Sequence, residues 1–166
     1  MIADNKHKQP FGDRLSIALK NFETPLCVGI DPHISLMPEF FKSPNRKQQI
    51  EKIKSFSLSC IDAAQDRVPA IKPQVALFEK FGPEGMEILQ QIGKNAESAG
   101  LLAIMDAKRG DIGSTSYAYA DAWLGEDAAF HCDALTVNPF LGLDTLEPFI
   151  DKAIRGNKGL FILLKT

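Results

Sequence analysis

The chain has 166 residues, of which 45% are hydrophobic and 24% are charged, and its net charge at pH 7 is −2. This composition is typical of a globular protein, so we expect a single domain over residues 1–166, with residues 1–24 as an N-terminal helical extension. The small net charge excludes a bulk attraction to nucleic acid or to anionic membranes, and the longest apolar runs are too short to cross a bilayer.

The cysteines indicate neither a disulfide framework nor a metal site. Cys27, Cys60 and Cys132 are scattered among apolar neighbours, and no Cys-x-x-Cys pair is present. The first residues also lack an apolar segment of signal-peptide length. We therefore expect reduced thiols in the core of a cytoplasmic protein that has no structural metal.

Apolar periodicity predicts helices that alternate with short apolar strands. In chain order, we expect a helix at 10–22, a strand at 25–30, a helix at 45–65, a strand at 70–71, a helix at 83–99, a strand at 101–105, a helix at 116–124, a strand at 134–138, a helix at 144–154 and a strand at 159–164. Asp144 is the expected N-cap of the last helix. The strands are nearly continuous apolar runs, which indicates burial on both faces and hence a parallel α/β sheet.

Polar side chains follow the predicted strands, at Asp31, Lys72, Asp106, Lys108, Asn138 and Thr166. In barrels and in doubly wound sheets, the C-terminal edge of the strands carries the functional site. No Gly-x-Gly-x-x-Gly or Walker loop follows a strand, which argues against the open folds that bind nucleotide cofactors.

The segment from Asp106 to Asp111 concentrates the charge of this edge. Asp106 and Lys108 are two residues apart, so an extended backbone points both side chains to the same side. With Asp31 and Lys72 at equivalent strand ends, five ionisable groups could converge, and opposite charges would keep their neighbours ionised. In the alternative interpretation, the segment is a surface turn and Asp111 only caps the following helix. We expect the arginine after Lys108 to be solvated.

Three segments resemble the orotidine 5'-phosphate decarboxylase family. Asp-Ala-Lys-Arg-Gly-Asp-Ile-Gly-Ser-Thr at 106–115 looks like its signature, and Val-Gly-Ile-Asp-Pro at 28–32 and Ile-Lys-Pro-Gln at 71–74 match its first and second strand ends. The Lys-Pro-Gln and Asp-Ala-Lys-Arg-Gly-Asp forms are similar to the bacterial type 2 branch. The likeness runs from about Phe11 to Thr166.

The resemblance implies a cofactor-free (β/α)8 TIM barrel that removes CO2 from orotidine 5'-monophosphate to give UMP, the last step of pyrimidine synthesis. By this likeness, Lys108 would protonate C6 of the pyrimidine as CO2 leaves. Asp106 would lie against the substrate carboxylate, and Lys72 would hold the charge network and reach the ribose. Asp31 would bind a ribose hydroxyl, and Thr166 would touch the pyrimidine. No metal is implied.

The same resemblance implies a homodimer. Asp111, Ile112 and Thr115 would reach the site of the neighbouring subunit. A (β/α)8 barrel needs about 250 residues, whereas five strands are predicted here. We therefore expect about the first five βα units of a barrel, with phosphate-binding residues beyond Thr166, and weak phosphate binding and little activity from these residues alone.

Two alternatives stay open at this point. Magnesium-dependent sugar-phosphate enzymes of the same superfamily, namely hexulose-phosphate synthase and keto-gulonate-phosphate decarboxylase, carry a similar Asp-x-Lys-x-x-Asp. They place an acidic residue at the second strand end, where this chain has Lys72, so the metal-free chemistry is favoured. The other alternative is a non-catalytic fragment or interaction module that keeps the dimer face around Asp111 and Thr115.

Overall fold

The structure is a computed structural model, and it describes residues 9–165. In this part of the chain, five parallel strands form one sheet in the order in which they occur in the sequence. The strands are β1 (Cys27–Ile30), β2 (Ala70–Pro73), β3 (Leu102–Arg109), β4 (Ala134–Val137) and β5 (Gly159–Ile162). The helices are α1 (Phe11–Phe22), α2 (Arg46–Ala64), α3 (Ala76–Glu79), α4 (Pro83–Ser98), α5 (Gly113–Leu124) and α6 (Glu147–Arg155), with short 3-10 turns at Glu39–Phe41 and Leu143–Thr145.

The two faces of the sheet are covered by different helices. Because side chains alternate along a strand, Ile71, Met105 and Leu135 join the large core that the sheet forms with α2, α4, α5 and α6. The opposite face carries a smaller cluster, which consists of Phe11, Ala70, Leu102, Ile104 and Ala134. Helix α1 therefore packs on the face that a closed barrel would turn inwards.

A buried ion pair attaches α1 to the sheet. Arg14 Nη1 contacts Asp133 Oδ1, and the other carboxylate oxygen accepts a hydrogen bond from the Ala103 backbone N–H at 2.8 Å. Both charged residues are 7% exposed. A Cβ built on Gly159 would overlap the Phe11 ring, so the close approach of α1 to β5 requires glycine there.

The predicted order and type of the main elements are confirmed, and three boundaries differ by three residues or more, namely the end of β3 and the starts of α5 and α6. Strand β3 continues beyond the predicted residue 105 to Arg109, because Arg109 pairs with Val137 of β4 after the register shift. Asp144 is not an N-cap: it lies inside the turn Leu143–Thr145, and Leu146 takes the N-cap position of α6. Helix α6 starts later because Pro148 occupies its first turn, where the missing N–H needs no partner.

The three cysteines are free, as expected, but they are not all in the core. Cys132 is buried, whereas Cys27 is exposed because it begins the edge strand β1 and points away from the helices that cover Val28 and Ile30. Within the described residues, no helix has both the length and the apolar character that a membrane span requires.

Candidate active site

The pairing of β3 with β4 contains a bulge at the charged segment. Met105 pairs with Leu135 and Arg109 pairs with Val137, so four residue steps in β3 match two in β4. Lys108 lies in this bulge with a φ of 50°. A left-handed conformation costs a residue with a side chain on the order of 1–2 kcal/mol, so surrounding contacts must hold it.

Asp106 is the centre of the charged cluster. Its Oδ1 accepts hydrogen bonds from Lys108 Nζ at 2.6 Å and from the Thr136 hydroxyl at 3.0 Å. Its Oδ2 accepts from Lys72 Nζ at 2.9 Å and from Gln74 Nε2 at 3.0 Å. The Thr136 hydroxyl also accepts from the Lys108 backbone N–H at 2.9 Å, so one side chain fixes both the carboxylate and the bulge.

These contacts keep the Asp106 carboxyl ionised. The residue is 8% exposed, and burial alone raises the pKa of its carboxyl. Hydrogen bonds from Lys108, Lys72 and Thr136 outweigh burial and lower this pKa from 3.8 to about 2. The lysine side chains stay 34% (Lys72) and 45% (Lys108) exposed, so their ammonium groups can meet a ligand at the sheet edge.

The other predicted site residues do not join this cluster. Among the described residues, no ion pair or hydrogen bond connects the carboxylates of Asp31 and Asp111 to the two lysines, so the paired charges are those of Lys72, Asp106 and Lys108. Asp111 Oδ1 accepts from the Ile112 N–H at 2.8 Å, and Ile112 and Thr115 are exposed. Thr166 lies outside the described residues.

Arg109 is not solvated, contrary to expectation. Its side chain is 20% exposed, and its guanidinium pairs with Glu79 of α3. The guanidinium carbon also lies 5.6 Å from the ring centroids of both Tyr119 and Trp123 on α5. The strand alternation explains the difference, because Lys108 shares the Asp106 side of the sheet, so the next residue, Arg109, turns towards the helix layer.

Two residues of the cluster, Gln74 and Thr136, were not identified from the sequence. Gln74 lies beyond the strand predicted at 70–71, yet it forms a parallel bridge with Asp106. Thr136 is an inconspicuous polar residue inside an apolar strand, and it is buried. A polar residue within the run Ala134–Val137 was the available signal, since a buried hydroxyl needs a hydrogen-bonding partner.

The fold and this cluster define an α/β protein of the TIM-barrel class, with a carboxylate and two ammonium groups at the C-terminal edge of neighbouring parallel strands. Comparison with known proteins identifies the family within this class. The model of the orotidine 5'-phosphate decarboxylase / HUMPS family matches residues 24–166. The chain therefore belongs to this family.

Curated relatives and solved structures agree with this assignment. The chain is 46% identical over 158 residues to the orotidine 5'-phosphate decarboxylase of Streptomyces coelicolor, covering 95% of this chain and 55% of that protein. The corresponding protein of Rhodopirellula baltica is 42% identical over 164 residues, with 94% and 54% covered. The chain thus spans about half the length of the curated relatives that it matches.

Two solved structures show the same fold. A Streptomyces avermitilis protein described as an orotidine 5'-phosphate decarboxylase superposes with a TM-score of 0.85 at 44% identity, covering 93% of this chain and 52% of that chain. The orotidine 5'-monophosphate (OMP) decarboxylase of Leishmania donovani superposes with a TM-score of 0.71 at 32% identity, covering 95% and 54%.

Proposed function

We propose that this chain carries the reacting groups for the cofactor-independent decarboxylation of orotidine 5'-monophosphate to UMP in pyrimidine biosynthesis. The observation that carries the proposal is the placement of Lys72 and Lys108 on the two oxygens of Asp106, in a member of this family. An ionised carboxylate between two partly exposed ammonium groups presents fixed charge where a carbanion would form.

Lys108 is the proposed proton donor. As the bond from C6 of the pyrimidine to the carboxylate carbon breaks, CO2 leaves and the electron pair stays on C6. The Lys108 ammonium stabilises that charge and then transfers one proton to C6, which leaves a neutral amine. Its 2.6 Å contact with Asp106 Oδ1 holds Nζ at the sheet edge before the reaction.

The remaining predicted residues are assigned to binding. We assign Lys72 to the charge network and to the ribose, and Asp31, an exposed residue directly after β1, to a ribose hydroxyl. Thr166 is assigned to the pyrimidine. Because Lys72 Nζ lies 2.9 Å from Asp106, a divalent cation at this carboxylate would meet an ammonium group, which favours the metal-free reaction over the magnesium-dependent alternative.

We also propose a homodimer in which Asp111, Ile112 and Thr115 reach the neighbouring site. Exposed apolar side chains gather at the start of α5 and in the loop after β4, namely Ile112, Tyr117, Phe140, Leu141 and Leu143. A hydrogen bond of 2.7 Å from Ser116 Oγ to Thr145 O joins these two segments. A second copy would cover this apolar surface, which a monomer would leave in water.

We propose a single domain and a cytoplasmic location. Residues 1–166 belong to one domain, whose N-terminal extension is fixed by the Arg14–Asp133 pair and packs on the sheet. Free cysteines, one of them exposed, fit a reducing cytoplasm.

The variant Lys108→Ala tests the reaction. We expect the decarboxylation rate of orotidine 5'-monophosphate in the full-length protein to fall by orders of magnitude, while UMP affinity changes far less, because the variant removes only the group that acts on C6. Lys47→Ala, at an exposed position of α2, is the matched control and should keep the parental rate. Unaltered turnover in Lys108→Ala would remove Lys108 from the mechanism. Loss of activity with EDTA and its return with magnesium would favour the metal-dependent alternative.

The variant Ile112→Asp tests the dimer. We expect sedimentation to show a shift towards monomer, because a charge replaces an apolar contact in the proposed interface. Leu36→Asp changes another exposed apolar residue, in the loop after β1, and should leave the assembly state unchanged. A monomeric parent protein, or a dimer that Ile112→Asp does not weaken, would contradict the proposal.

A further inference from the structure

Lys108 lies in an irregular part of the sheet. Its backbone lies in the left-handed region inside a bulge, where β3 and β4 are out of step between Met105 and Arg109. The Thr136 hydroxyl holds the Lys108 N–H from the side of β4. Relaxation of this bulge would move Lys108 Nζ away from Asp106, because the side chain follows the backbone.

Arg109 supports the bulge from the opposite face of the sheet. Its Nη1 donates a hydrogen bond of 3.2 Å to the Ala107 carbonyl, so the side chain of residue 109 reaches back across Lys108. The Arg109 carbonyl accepts from the Asn138 N–H at 2.7 Å, which restores the pairing with β4 directly after the bulge. The Arg109 side chain therefore fixes the backbone before Lys108, and the main-chain pairing of residue 109 fixes the backbone after it.

The same guanidinium connects the two strands that carry the cluster. Its ion pair with Glu79 joins β3 to α3, the short helix that follows Gln74 and β2. On the site face, Lys72 and Gln74 of the β2 segment bind Asp106 of β3. Arg109 and Glu79 thus hold the same two strand ends together on the helix-covered face of the sheet.

The environment of Arg109 is a poor one for gaining stability. Its Nε is buried and has no hydrogen-bonding partner within the described residues, although the group carries a full charge. Burying part of a cation in this way is costly. Rings of Tyr119 and Trp123 limit its movement, which suits a group that fixes geometry.

We propose that Arg109 is a positioning residue for Lys108: bound to Glu79 and packed over the α5 aromatic rings, it fixes the Lys108 bulge and thereby the Lys108–Asp106 contact. For catalysis, this inference rests on the proposed decarboxylase function. The structural part of the inference does not rest on that function. The titration of the Asp106 carboxyl reports whether Lys108 is in contact with it, and this measurement needs no substrate.

The experiment compares Arg109→Met with Lys152→Met in the full-length protein. Lys152→Met removes a cation that pairs with Asp121 on the α5–α6 surface, and it serves as the control. The readout is the titration of the Asp106 carboxyl by NMR with 13C-labelled aspartate. We expect the pKa of Asp106 to rise from about 2 towards 3.8 in Arg109→Met and to stay unchanged in the control. An unchanged Asp106 pKa in folded Arg109→Met overturns the proposal.

Arg109→Lys keeps the inference testable if Arg109→Met does not fold. Lysine can pair with Glu79, but it lacks the planar fork that also reaches the Ala107 carbonyl. We expect an intermediate Asp106 pKa in Arg109→Lys, and a parental value there overturns the proposal. In turnover assays, both variants should lower kcat with little change in KM. A parent protein without decarboxylase activity would refute the proposed function, while the Asp106 titration would still decide the role of Arg109.

Discussion

Asp106→Asn should remove a pH-dependent part of the stability that belongs to the cluster. The pKa of Asp106 is lowered from 3.8 to about 2. After allowance for solvent screening at the partly exposed lysines, a shift of this size corresponds to about 2 kcal/mol of folding free energy at neutral pH, at about 1.4 kcal/mol for each pH unit. Because the folded pKa is the lower one, this stabilisation is fully present above pH 4 and is lost as the pH falls through 2.

The measurement is urea unfolding of the parent and of Asp106→Asn at several pH values between 7 and 2. We expect the difference in unfolding free energy between the two proteins to shrink by about 2 kcal/mol over this range, mostly below pH 4. Asp111→Asn is the control for the loss of one carboxylate from this segment, because Asp111 has no ion pair within the described residues and its replacement leaves both lysines on Asp106. A difference between the parent and the Asp106→Asn variant that stays constant down to pH 2 would refute the assignment of two ammonium partners to this carboxylate.

Three further changes test the packing of the sheet, at the site and against α1, by urea unfolding. Thr136→Val should cost about 1–3 kcal/mol, because it leaves the Lys108 N–H without its acceptor, whereas Thr136→Ser should cost less. Gly159→Ala should destabilise by roughly 1–3 kcal/mol, since its Cβ would overlap the α1 aromatic ring, while Gly12→Ala meets nothing within 4 Å and should stabilise helix α1 by up to about 1 kcal/mol. Asp133→Ala should cost about 3–5 kcal/mol by leaving the Arg14 guanidinium buried without its partner, and a loss below about 1 kcal/mol would contradict this role.

The sequence by itself determined the alternation of helices and strands and the edge of the sheet at which charge gathers. Apolar runs that end in polar residues identify parallel strands, and the C-terminal ends of parallel strands meet at one edge. This is sufficient to bring Lys72 of β2 next to Asp106 of β3, since neighbouring strands are only about 5 Å apart. The spacing of Asp106 and Lys108 likewise predicted that both side chains lie on one side of the strand, and in the structure Lys108 Nζ is 2.6 Å from Asp106 Oδ1.

Tertiary structure alone decided which charges pair and what holds them. The register shift between β3 and β4 places the Thr136 hydroxyl against both Asp106 and the Lys108 backbone, and no local pattern encodes a register. Arg14 and Asp133 are 119 residues apart in sequence and meet only because α1 packs on the sheet. Arg109 faces the helices because of its place in the strand alternation. Local sequence sets which side chains are available, but long-range packing sets their partners, because a buried ion is stable only where distant segments supply its counter-charge.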